Sequence, residues 1–135
     1  MKKQSEIKVI VAEPMKEAYV TTIKNELSEL QAVVGGYIEV LPFTSEDEVC
    51  IVCNEEGKIN GLPLNRGLSD PEGKLYEIIA GTMFIVGDDY EAGEFVSLTD
   101  EQIEKYLNQF LKPEVFYRIN DEILSTKVEE NFWEV

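Results

Sequence analysis

Within Val33-Val34-Gly35-Gly36-Tyr37-Ile38-Glu39-Val40 the hydrophobic period of the chain changes. Upstream, Met15, Tyr19, Ile23, Leu27, Leu30 and Val34 recur at steps of four and three. That spacing predicts one face of an amphipathic helix, opened by Pro14 at its first position, where a missing N–H costs nothing. Gly35 or Gly36 can adopt the left-handed conformation that closes a helix. Downstream, Tyr37 to Phe43 reads as a strand, with Pro42 near its end or on an edge. A helix handed over to a strand by two glycines points to a helix packed on a sheet.

The remaining segments fit that frame. Ile7 to Ala12 alternates and then turns apolar, as a strand entering a covered sheet would. The acidic loop Thr44-Ser45-Glu46-Asp47-Glu48 leads into a strand at Val49–Cys53. Gly57 within Glu55-Glu56-Gly57-Lys58 suggests a hairpin returning through Ile59–Pro63. Gly67, Pro71 and Gly73 make 64–74 read as an irregular loop. Leu75–Ile79 fits either a helical turn or a strand. Gly81–Gly87 reads as a buried strand, 88–93 as a turn and Glu94–Leu98 as another strand. Thr99 and Gln102 form a capping-box pattern, with Leu98 and Ile103 as a hydrophobic staple. They open a helix with Ile103, Tyr106, Leu107, Phe110 and Leu111 on its inner face and Pro113 at its end. Val115–Ile119 predicts a further strand; Phe132 and Trp133 in the following tail suggest docking. The order β-α-β-β-(β)-β-β-α-β predicts a single α+β domain over 1–135, mostly antiparallel sheet with two main helices packed on it.

Charge narrows the function classes. The 135 residues carry 27 Asp plus Glu against 12 Lys plus Arg, a formal −15. Residues 1–34 hold five acids and five bases, 35–85 nine and three, and 86–135 thirteen and four. Such a field repels nucleic acid and anionic lipid, and attracts basic surfaces over about 8–10 Å in physiological salt. Direct nucleic-acid or membrane binding is therefore not expected. No apolar run approaches the roughly 18 residues of a membrane span, and with two cysteines the expected location is cytoplasmic.

There is no histidine. That removes Ser-His-Asp and Cys-His arrangements and His-ligated metal sites. Cys50 and Cys53 have redox or zinc spacing. On a strand, however, an interval of three turns them to opposite faces, and no other Cys or His remains to complete a zinc site. They read as structural. Asp88, Asp89 and Glu91 match no calcium loop and read as a solvated turn. No cofactor, metal or catalytic residue is expected, and the balance leans away from an enzyme.

As a set, certain residues resemble a family of small proteins of unknown function from phages and mobile elements of Gram-positive bacteria. The carrying features are the N-terminal strand and helix, then Val34-Gly35-Gly36-Tyr37-Ile38-Glu39, Asn54-Glu55-Glu56-Gly57-Lys58, Gly61-Leu62-Pro63 with Asn65-Arg66, and Ile79-Ala80-Gly81-Thr82. The resemblance covers about residues 5–112, leaving 113–135 as an extension. It implies an accessory protein and brings no catalytic residue.

Two functions follow from the residues. In the first, a non-enzymatic acidic protein engages a basic host or element protein through its C-terminal half, with Asp88, Asp89, Asp100, Glu101 and Glu104 as contacts. In the second, Asn54, Asn60, Asn65 and Arg66 bind or process a nucleotide-like ligand, since amides and a planar guanidinium suit phosphate or carboxylate. Against the second stands the reading that Arg66, one of two arginines, braces a loop by pairing with a nearby carboxylate.

Overall fold

The structure, a computed structural model, describes residues 3–128. Ten strands and two helices follow in the order β1 (Glu6–Ala12), β2 (Tyr19–Lys24), α1 (Leu27–Val34), β3 (Ile38–Leu41), β4 (Val49–Asn54), β5 (Leu64–Ser69), β6 (Leu75–Ala80), β7 (Met83–Asp89), β8 (Glu94–Val96), α2 (Asp100–Phe110), β9 (Glu114–Ile119) and β10 (Glu122–Lys127). The expected α+β character, mostly antiparallel sheet with two helices, is what the chain adopts.

The main sheet runs β2-β1-β7-β4-β3, with β8 also paired to β7, and every pairing is antiparallel. Alternation along the central strands divides the core in two. Ile7, Val9 and Val11 of β1, Cys50 and Val52 of β4, and Phe84 and Val86 of β7 face Leu30 and Val34 of α1. Ile10, Ile51, Cys53, Met83 and Ile85 face the other way, toward Tyr106 and Phe110 of α2 and Leu68 and Ile79 of the β5–β6 hairpin. Both cysteines are buried and unbridged, one in each half. Each Val, Ile or Phe so buried contributes about 1.5–3 kcal/mol of transfer free energy, so this double-sided sheet is the main source of cohesion.

Three sequence expectations need correction. The helix anticipated from Met15 to Val34 exists only over its last eight residues. Tyr19–Lys24 is instead a strand paired along its length with β1. A step of four is even, so Tyr19 and Ile23 share a face on a strand as well as on a helix, and β-branched Val20, Thr21 and Ile23 favour the strand. No hairpin strand follows Gly57 either. Both edges of β4 are already taken by β3 and β7, and 55–61 forms a string of turns. The supposed loop at 64–74 holds β5, which pairs with β6, so the ambiguous Leu75–Ile79 segment is a strand.

Other expectations hold. Gly35 takes φ 80° and its N–H donates to the Gln31 carbonyl at 2.8 Å, closing α1. The Thr99–Gln102 capping box is complete, with both reciprocal bonds made. The anticipated Val115–Ile119 strand is β9, and its partner β10 occupies the start of the tail. Phe132 and Trp133 lie outside the described residues.

Candidate functional site

Asn65 and Arg66, adjacent on β5, are both completely buried. Every N–H of the Arg66 guanidinium is used inside the protein. Nε donates to the Phe110 carbonyl at 2.9 Å, and Nη1 to the Glu13 carbonyl at 3.3 Å and to Asn65 Oδ1 at 2.8 Å. Nη2 donates to the carbonyls of Lys16 at 2.7 Å and Leu111 at 3.2 Å. Asn65 Nδ2 in turn donates to the carbonyls of Ala12 and Gly81 at 2.8 and 2.9 Å. The pair ties the β1–β2 connection, the start of β7 and the end of α2 to one point. Burial pulls the Arg66 pKa down, opposed by the charge of Glu114. Glu114, also buried, accepts from the Gly67 N–H at 2.9 Å and is itself pushed up by burial. Arg66 is thus a brace, with main-chain carbonyls as its partners rather than the carboxylate anticipated.

The four residues suggested for a ligand do not converge. Asn54 caps the other face, donating to the Val34 carbonyl at 3.2 Å and accepting from the Glu56 N–H at 2.8 Å. Asn60 is exposed on the 55–61 turns. Asn65 and Arg66 direct their polar atoms at the chain itself.

The acidic residues are differently placed. Asp88 and Asp89, half-buried at the end of β7, belong to the strand rather than to a turn; Asp100, Glu101 and Glu104 are exposed on α2. Between them stands a residue the sequence did not single out. Asp47 accepts from Gln102 Nε2 at 2.9 Å and from the Tyr106 hydroxyl at 3.0 Å, while the Tyr90 hydroxyl donates to its carbonyl at 3.4 Å. The Gln102 bond first, then Tyr106 and Lys105, hold its carboxyl below the usual range against the effect of burial. Tyr106 is pushed up, chiefly by burial and then by Asp47. The Asp88 N–H donates to the Glu48 carbonyl at 2.9 Å. The acidic 46–48 loop is thereby fastened to both α2 and β7. Gln102 and Tyr106, four apart on α2, were the available signal.

The cysteines offer no nucleophile at neutral pH. Burial and the Asp88 charge push the Cys50 thiol up to about 12, and burial with Glu39 and Glu77 pushes Cys53 up to about 11. Among the described residues no group of His, Cys, Asp and Glu could hold a metal ion, and no helix is long and apolar enough to cross a membrane.

A family model described as a domain of unknown function, DUF3846, matches residues 7–111. The chain belongs to the DUF3846 family. No curated protein and no solved structure matches it. The DUF3846 region contains every hydrogen-bond partner of Asn65 and Arg66, from Ala12 to Leu111. The β9–β10 hairpin lies beyond it.

Proposed function

We propose that this DUF3846 protein is a non-enzymatic acidic binding protein, an accessory product of a phage or mobile element. In this reading it acts in the cytoplasm and occupies a basic surface of a host or element protein. The observation that carries the reading is the fastening of Asp47 by Gln102 and Tyr106. It fixes Glu46 and Glu48 near Asp88, Asp89 and the outer face of α2, so the carboxylates sit on a held framework rather than on a free loop. Lys105 of α2 pairs with Glu46 at 3.5 Å, and the remaining excess of carboxylates steers a basic partner and sets its register. The nucleotide-like alternative at Asn54–Arg66 has less support, because the donors of Asn65 and Arg66 are fully used by the chain itself.

The test is capture from host lysate at low and high salt, in parallel with a variant reversing Asp88, Asp89, Asp100, Glu101 and Glu104 to Lys. Recovery of a basic protein that high salt releases and the variant fails to hold is the expected result. A partner retained equally at both salts and by the variant would overturn the reading.

A further inference from the structure

A groove opens on the side of the molecule where α1 ends, away from the Asp47 framework. It consists of two adjoining hollows of about 440 and 340 Å³ that share Glu13, Val33 and Thr82. Volumes of this order suit a small organic ligand. The segments singled out in the sequence meet here: Val34-Gly35 ends one wall, Leu62-Pro63 forms another, and Gly81-Thr82 lies between them.

The walls are fixed from beneath. Asn65 ties the Ala12 carbonyl to that of Gly81, and Arg66 grips the carbonyls of Glu13 and Lys16. Met15, inside that gripped turn, holds a positive φ of 64° although it is not glycine. Such a conformation costs about 1–3 kcal/mol and persists only where the surroundings impose it.

The chemistry of the groove is that of an acceptor. Glu13 keeps 34% of its side chain exposed, and its charge, after burial, pushes the Tyr19 hydroxyl pKa up. The C-terminal end of α1, Ala32 to Gly35, lines the same opening, and no basic residue occupies its last turn. The carbonyl end of a helix carries partial negative charge. Lys16 stands 3.9 Å from Glu13 but is 70% exposed, a weak tie that another cation can replace. Val33, Leu62 and Pro63 supply apolar contact. A bare metal ion does not fit this donor set, since Glu13 has no second carboxylate beside it among the groove residues.

We propose that this groove binds a free small organic cation, a primary ammonium or guanidinium group on a short aliphatic stem. Its charge sits between Glu13 and the end of α1, and its stem lies on Val33, Leu62 and Pro63. Asn65 and Arg66 act as positioning residues, holding the groove in shape without touching the ligand.

The probe is pentylamine, added to the 135-residue chain in physiological salt and followed by amide chemical shifts. Pentanol serves as its neutral counterpart. The shifts are expected at Glu13, Val33, Gly35 and Thr82, with pentanol producing little change. Glu13→Gln should weaken binding at least tenfold. Ala32→Phe, at an exposed helical position, should block the groove without altering charge. Comparable shifts at 46–48 and 88–91 would mean diffuse attraction to an acidic protein and would overturn the proposal. So would undiminished binding by either variant.

Discussion

Arg66 and Asp47 solve opposite problems with the same means, and their substitution should read out differently. Arg66 is a buried cation compensated by carbonyl dipoles, with Glu114 nearby. Lysine cannot reproduce a planar fork with five N–H donors. Arg66→Lys should therefore destabilise the fold by about 3–5 kcal/mol, the range found when a buried charge loses its partners. The midpoint of urea unfolding measures this, and a loss below about 1 kcal/mol would remove the brace from the account. For Asp47 the folded pKa is depressed. Its contribution is therefore present above the ordinary carboxylate range and is lost as pH falls through the folded value. Asp47→Asn should narrow the stability difference from the parent between pH 5 and pH 3, as followed by urea midpoints at the two values. At this scale the sequence was partly legible. The lone-looking Arg66 stood out, and a bracing role was one of its two readings. Its distant acceptors were not readable, because they are main-chain carbonyls from two far segments, 13–16 and 110–111, and carry no residue signature.

The elements divide by how much of their signal is local. α2 was readable to its first residue because the Thr99–Gln102 capping box lies within a single turn. Thr99→Ala should cost about 1 kcal/mol, and thermal unfolding checks it. Gly35→Ala meets no atom within 4 Å, so its expected loss of about 1–2 kcal/mol comes from backbone conformation alone. A loss near zero would mean that α1 can end in another geometry. The β2 segment misled because its apolar spacing was even and pattern alone did not separate strand from helix. The deciding fact, an open edge on β1 for it to join, is a property of the assembled sheet. The same holds for β5, whose glycine-bearing sequence is a strand only because β6 lies beside it.

At the scale of the molecule, the central sheet is covered on one face by α1 and on the other by α2 with the β5–β6 hairpin. The acidic framework and the groove belong to different parts of this body, so reversing the charges on α2 should leave pentylamine binding intact, as measured by the same amide shifts. The Asn65–Arg66 tie also bears on how the family varies. Six of its seven hydrogen bonds end on main-chain oxygen, which every residue type provides. Selection acting through this tie falls on the two donors and leaves the side chains at Lys16, Phe110 and Leu111 free of it. Relatives that drift at those positions can keep the same joint, whereas a relative without the Asn-Arg pair must hold its β1–β2 turn by other means.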